Sequence, residues 1–273
     1  MQHFIPYFVV SFIYAAVAID FWRTAKLPQA SLQQTQSLKL HSSMIALGLA
    51  LHGWLLYRDV FATGDLNFGF YYALSAILWL TVLIYWLADL SYQLQSLQAF
   101  VLPPAALFVL LPAFTIKNYY LPQIDAGLFM AHIAIAILAY SLFTFAALHA
   151  TLMAIAERNL HKKTSLIQLP SFPPLMVMET LLFRVITIGF ILLTLTVISG
   201  MLFSEEIFGK PLQFNHKVIF SIASWLIYAW LLYGRYRYGW RGKKAIRWTI
   251  IGFVLLLLAY VGSRFVLHVL LNK

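Results

Sequence analysis

The sequence has 273 residues, of which 62% are hydrophobic and 10% are charged, so a single soluble domain could not cover its apolar surface. The formal net charge of +10 comes from basic residues in short segments between apolar runs, which is typical of orientation in a bilayer and does not form a nucleic-acid-binding face. The chain has no cysteine, which excludes disulfides, thiolate metal ligands and thiol redox chemistry. Composition therefore predicts an integral membrane protein.

Eight apolar runs are close to the length of about 20 residues that a helix needs to cross the hydrocarbon core. The first run follows no basic segment and precedes no small-residue cleavage pattern, so it predicts a retained span. The fourth run contains Pro103, Pro104 and Pro112 and is expected to be kinked or broken. The runs cover residues 4–21, 41–61, 68–88, 95–116, 127–155, 180–203, 214–233 and 246–270. The sequence thus predicts an all-α, polytopic helix bundle forming a single membrane domain, 1–273.

The basic residues predict how this bundle lies in the membrane. They concentrate in the connections between runs one and two, five and six, and seven and eight. All three connections fall on one side, which the positive-inside rule makes cytoplasmic. With eight spans, both termini are then expected outside, in the periplasm.

Histidines are the most informative polar residues in the predicted spans. His52, His132, His216 and His268 lie on four different runs, all in the outer half of the membrane. Ionisable groups inside spans are costly and usually face a partner, a cavity or a ligand, so these four are candidate ligands. The alternative for each is an imidazole that hydrogen-bonds between helices. The remaining histidines are treated as structural.

Several ligands are compatible with such a set. Histidine alone could bind zinc or copper. Haem also suits it, because the macrocycle needs an apolar slot, the iron takes axial imidazoles and the propionates need cations. Arg264, one turn from His268, and Lys217, beside His216, are candidate cations. The nearby aromatic residues are Trp54, Tyr57, Phe129, Tyr140, Phe214, Phe220 and Phe265.

Patterns of catalysis are missing from the sequence. It contains no serine elbow, no HExxH and no phosphate-binding loop, so we expect no catalytic residues and no enzyme. Glu179 and Arg184 are expected to pair at the cytoplasmic edge of span six.

The segment 173–244 carries a specific resemblance. It contains PPL and ET before span six, GFILLTLTVISG within it, and KVIFSIASWLIYAWLLYGRYRYGWRG around span seven. These motifs resemble the core of the cytochrome c assembly family of haem-handling membrane proteins, which includes the CcsA, CcmC and HemX types. The family-like core covers about 125–273, preceded by N-terminal spans in 1–120.

One departure from the family pattern affects the expected function. Members that deliver haem to cytochrome c carry a tryptophan-rich stretch, W-G-x-x-W-x-W-D-P-K, before this span, where the present chain has FGKPLQFNHK, 208–217. The loss of the tryptophans places haem presentation in doubt and indicates the HemX-like branch. By position, the resemblance implies that His132 and His268 are axial ligands of haem iron, and His52 a further transmembrane ligand. The family's second transmembrane histidine falls close to Tyr233, so that inner site looks incomplete, while His216 is a candidate substitute ligand.

The resemblance implies a haem-binding protein of the bacterial inner membrane that acts in cytochrome c maturation or haem homeostasis. Its expected partners are lipid, haem and other membrane proteins of those pathways, with no nucleic acid. Three alternatives stay open. They are a divalent metal transporter that uses His41 and His52 as successive binding positions along its path, an electron-transfer subunit, and an assembly scaffold.

Overall fold

The structure is a computed structural model that describes residues 4–24, 32–61, 69–114, 126–161, 174–208 and 216–262. Within these ranges the chain is helical apart from short turns, which confirms the predicted all-α class. The helices are α1 (Ile5–Thr24), α2 (Leu32–Phe61), α3 (Phe70–Tyr92), α4 (Gln98–Phe108), α5 (Ala126–His161), α6 (Leu175–Phe208), α7 (His216–Tyr238) and α8 (Gly242–Leu257). Short 3₁₀ turns at Gln95–Leu97 and Leu111–Phe114 flank α4, and a π-helical turn at Leu258–Gly262 follows α8.

Seven helical segments in the described ranges are long and apolar enough to cross a membrane. They correspond to the first seven predicted runs. The eighth predicted run matches α8 and the π-helical turn as far as residue 262, while 263–270 lie outside the described residues. The count of eight spans and the periplasmic termini therefore stay predictions.

The outer surfaces of the helices are apolar, as a lipid-facing surface must be. Phe12 on α1, Met176 on α6 and Leu202 on α6 are 73%, 68% and 66% exposed. Large exposed apolar patches are rare on soluble monomers, whereas in a bilayer these side chains contact acyl chains.

The chain forms two compact units. Unit 1 comprises Met1–Gln123 and Ile155–Met178, and unit 2 comprises Ile124–Ala154 and Glu179–Lys273. Unit 2 thus contains most of the segment that resembles the cytochrome c assembly core.

In unit 1, α1 packs against α2 and α4, and α3 packs against the same two helices. The indole N–H of Trp79 on α3 donates to the Leu49 carbonyl of α2 at 2.8 Å, which ties these helices together. Pro103 and Pro104 lie inside α4, which ends at Phe108, five residues after Pro103. Pro112, in the 3₁₀ turn that follows, lacks the N–H that would bond the Phe108 carbonyl, so the end of α4 agrees with the prediction of a broken fourth run.

In unit 2, two stacked aromatic rings form the centre of the core. Phe143 of α5 and Tyr228 of α7 have ring centroids 4.0 Å apart and an interplanar angle of 21°. Glycines make room for both rings, because a Cβ on Gly189 of α6 would lie 3.2 Å from Phe143 and a Cβ on Gly252 of α8 would lie 2.8 Å from Tyr228. The four helices can therefore approach closely in the small-residue manner typical of membrane proteins.

Candidate functional site

His132 lies near the start of α5, where the structure gives its imidazole a defined orientation. Nδ1 is 2.7 Å from the Ser199 hydroxyl oxygen, near the end of α6. The Ser199 hydroxyl in turn donates to the Leu195 carbonyl oxygen at 2.7 Å. The ring is half-buried and stacks on Phe129, with centroids 6.5 Å apart and an angle of 17°. The expected proximity of Phe129 is thus confirmed, whereas Ser199, the serine of the GFILLTLTVISG motif, was not predicted to be its partner.

The start of α7 supplies a cation beside this histidine. Lys217 is exposed, and its ammonium group interacts electrostatically with the His132 imidazole. His216, the first residue of α7, is also exposed. His268 and Arg264 lie outside the described residues, so their predicted roles stay predictions. The structure therefore brings His132, Ser199 and Lys217 together at one end of unit 2.

His52 occupies a different environment, in the interior of unit 1. It is 1% exposed, and its Nε2 is 2.9 Å from the hydroxyl oxygen of Ser75 on α3. The ring of Tyr14 on α1 is its aromatic neighbour, with centroids 6.0 Å apart. Trp54 and Tyr57, which follow it on α2, are 53% and 67% exposed. Their positions two and five residues along α2 direct them to the outer face of the helix.

His52 also contacts α1 through its ring contact with Tyr14, and along the seam between α1 and α2 a polar contact lies on each side of it. Toward one end, the Tyr7 hydroxyl donates to the Asp59 carboxylate. Toward the other, His41 Nε2 lies 2.8 Å from the Asp20 carboxylate. His41 and His52 thus both face α1, as their eleven-residue spacing predicted.

Apolar side chains separate the contacts along this seam from one another. Ile45 and Leu49, which lie between the two histidines on α2, are 2% and 6% exposed. Among the described residues, no group of three or more His, Asp or Glu side chains could hold a metal ion. These contacts therefore resemble interhelical ties more than steps of a metal pathway.

Two further sequence positions can be placed. Tyr233, where the family's second transmembrane histidine falls, is 49% exposed on α7 and stacks on Trp230. His149 is fully buried in unit 2 and stacks on Phe145 at 5.8 Å, consistent with the structural role expected for it.

The residues that carry the family resemblance build the other end of unit 2. Glu179 forms ion pairs with Arg235 at the end of α7 and with Arg241, the latter at 3.2 Å. The sequence instead predicted Arg184 as its partner, which lies five residues along the same helix and so nearly on the opposite face. Arg235 also donates to the Trp240 carbonyl oxygen at 3.1 Å.

The turn between α7 and α8 depends on glycine. Gly239 and Gly242 have φ angles of 62° and 52°, which side-chain-bearing residues rarely adopt. The Trp240 ring packs directly over Gly234 and is stacked on Trp248, with centroids 6.3 Å apart. The ET, GR and GWRG motifs thus form one cluster of ion pairs and packed rings, which we call the lock. It lies at the ends of α6 and α7 that are opposite to His132 and Lys217.

Comparison with known proteins agrees with this arrangement. The family model described as "Cytochrome C assembly protein" matches residues 38–271. The chain is 35% identical over 176 residues to the inner membrane protein YpjD of Escherichia coli strain K12, an alignment that covers 63% of each chain, so less than two thirds of that relative is spanned. It is 39% identical over 88 residues to the cytochrome c biogenesis protein CcsA of Prochlorococcus marinus, covering 32% of this chain and 28% of that one.

No solved structure matches the chain significantly. The family match nevertheless extends over most of the sequence, including the lock and the His132 region of unit 2. The seven apolar helices and the similarity to an inner membrane protein confirm the predicted location. The chain is therefore a multi-pass inner membrane protein that belongs to the cytochrome c assembly protein family.

Proposed function

We propose that this protein binds haem through His132 and His268 and handles it for cytochrome c maturation or haem homeostasis, without catalysing a reaction. The observation that carries the proposal is the constellation at His132. An oriented imidazole, a stacked phenyl ring and a lysine ammonium group lie together at one end of unit 2.

The chemistry of these groups fits haem. With Nδ1 against Ser199, the imidazole presents Nε2 as the nitrogen that can bind iron. Phe129 offers an apolar face for a macrocycle, and Lys217 a positive charge suited to a propionate. Bound haem would supply an iron porphyrin for storage or transfer. His268 is proposed as the other ligand of the iron, Arg264 as a second cation and His216 as an auxiliary ligand, while the role of His52 as a ligand stays a prediction of the family resemblance.

The lost tryptophan-rich motif limits what is proposed. In relatives with the motif that stretch presents haem, whereas here only Gly209 and Lys217 retain its pattern. We therefore propose that this chain holds or relays haem, and that presentation to an apocytochrome is not its task.

The decisive experiment is a visible absorption spectrum of the protein purified in mild detergent, oxidised and reduced, with and without added haemin. The double variant His132→Ala/His268→Ala is compared with His161→Ala. His161 ends α5, 29 residues beyond His132 and about 43 Å along the same helix, so it is a matched control.

Stoichiometric haem in the wild type and the control, lost in the double variant, is the expected result. A wild-type protein that stays colourless after haemin is supplied would contradict the proposal and favour scaffolding. Haem that is retained in the double variant would place the ligands elsewhere in the chain.

A further inference from the structure

The hydrogen bonds at Ser199 determine which nitrogen of His132 carries the proton. The Ser199 hydroxyl oxygen lies 2.7 Å from the Leu195 carbonyl oxygen and 3.3 Å from the Thr196 carbonyl oxygen. Carbonyl oxygens only accept, and two oxygens at such distances repel each other unless a proton lies between them. The single hydroxyl proton of Ser199 therefore points into its own helix. Toward His132 the hydroxyl can only accept, so Nδ1 must be the N–H donor in the 2.7 Å contact.

A second hydroxyl on α6 makes the same pair of hydrogen bonds, and here the ring nitrogen that it contacts can only be a donor. The Thr194 hydroxyl donates to the Phe190 carbonyl at 2.7 Å and accepts from the indole N–H of Trp225 on α7 at 2.8 Å. An indole nitrogen can only donate, so the direction of this bond is certain. On α6, a hydroxyl that donates to its own backbone thus receives a ring N–H from a neighbouring helix at two sites.

We propose that Ser199 is a positioning residue that holds His132 as the Nδ1–H tautomer and thereby presents Nε2 as its ligating nitrogen. Neutral histidine has two tautomers, and the hydrogen bond of one ring nitrogen decides the availability of the other. Metal-binding histidines generally donate their second N–H to such a partner, which fixes the ring orientation as well.

The tautomer assignment stands without haem, whereas its consequence for ligation rests on the proposed function. Where His132 binds haem iron, it should bind through Nε2. Loss of the Ser199 hydroxyl would remove the acceptor that favours the Nδ1–H tautomer, so the other tautomer, which places the proton on the ligating nitrogen, should become populated. Haem affinity should then fall by roughly 10- to 100-fold, the usual effect of removing such a partner.

The first test uses the protein without haem. Imidazole ¹⁵N chemical shifts are recorded for histidine-labelled protein in detergent, and the His132 signals are assigned by difference from His132→Ala. A protonated Nδ1 and an unprotonated Nε2 are expected in the wild type, with a shift toward the other tautomer in Ser199→Ala. Thr187→Val is the matched control, because Thr187 is exposed and its hydroxyl donates to the Phe183 carbonyl in the same helix. A wild-type His132 protonated at Nε2, or an unchanged tautomer in Ser199→Ala, would overturn the proposal.

The second test is haemin titration, with the resonance Raman iron–histidine band as an independent readout. Ser199→Ala should bind more weakly and shift the band, while Ser199→Thr, which keeps the hydroxyl, and Thr187→Val should match the wild type. If the wild type binds no haem, the proposed function fails and the nitrogen shifts alone decide the role of Ser199. If the wild type binds through His132 and Ser199→Ala binds equally well with an unchanged band, the positioning role is wrong although the proposed function holds.

Discussion

Gly234 is a position where packing leaves no space for a Cβ atom. It lies within α7, where alanine is normally more favourable than glycine by about 1 kcal/mol. The Trp240 ring, however, occupies the space that a Cβ would need, and that ring is held between Trp230 and Trp248. We expect Gly234→Ala to destabilise the protein by about 1–3 kcal/mol, as overpacking usually does. Thermal unfolding in detergent, followed by tryptophan fluorescence, would measure this.

Gly127 provides the control for that experiment. It also lies in a helix, α5, but a Cβ there would meet nothing within 4 Å. Gly127→Ala should therefore leave the unfolding temperature unchanged or raise it. Adding Trp240→Leu to Gly234→Ala should recover part of the loss, because the two substitutions act on one contact. Equal effects of the two glycine substitutions would show that the Trp240 contact is not what requires glycine.

The seam between α1 and α2 depends on the register of two whole helices. Two polar contacts place Tyr7 beside Asp59 and Asp20 beside His41, and a ring contact places Tyr14 beside His52. We expect a double-mutant cycle with Asp20→Ala and His41→Ala to give a coupling energy of about 0.5–2 kcal/mol, the range of polar ties between membrane helices. The cycle requires the unfolding free energies of the wild type, both single variants and the double variant.

A cycle between Asp20 and His52 tests whether the coupling depends on contact. His52 lies eleven residues beyond His41, about 16 Å along the helix axis, with apolar side chains between them. Its coupling to Asp20 should be close to zero, because distant sites usually behave additively. A coupling as large as that of Asp20 with His41 would instead indicate a connected polar network along the seam and revive the transport alternative.

Helix existence was predictable from the sequence, whereas helix ends were less so. Seven apolar runs correspond to observed helices, because a bilayer requires about 20 apolar residues for each span. The observed α2 nevertheless begins at Leu32, nine residues before the predicted run. The intervening segment, LQQTQSLKL, contains neither proline nor glycine, so its helix continues beyond the apolar run.

The candidate site was predictable only in part, for a related reason. Spacing along a helix placed His41 and His52 on one face and His132 near a helix end. The partners Tyr14, Ser75 and Ser199 belong to other helices, and their contact depends on how each helix is rotated against its neighbour. Ser and Tyr are common in membrane spans as packing residues, so nothing in the sequence distinguished Tyr14 and Ser75 from the rest. Ser199 belongs to the GFILLTLTVISG motif, but the motif did not indicate which residue it contacts.

The number of spans determines whether the two termini lie on one side of the membrane. Eight spans place Gln2 and Asn272 on the same side of the membrane. If the seven segments identified within the described ranges were the full set of spans, the two residues would lie on opposite sides. The basic connections predict that the shared side is periplasmic and that Ser165, between α5 and α6, is cytoplasmic.

Because the chain has no cysteine, single-cysteine variants can test this prediction without background labelling. We expect a membrane-impermeant maleimide to label Gln2→Cys and Asn272→Cys in intact spheroplasts, and Ser165→Cys only after permeabilisation. The unsubstituted protein should stay unlabelled throughout. Labelling of one terminus alone would mean an odd number of spans, and labelling of Gln2→Cys alone would place residue 272, and with it His268, at the opposite membrane face from that predicted. His132 and His268 could then not flank one haem, so the topology experiment also tests the proposed ligand pair.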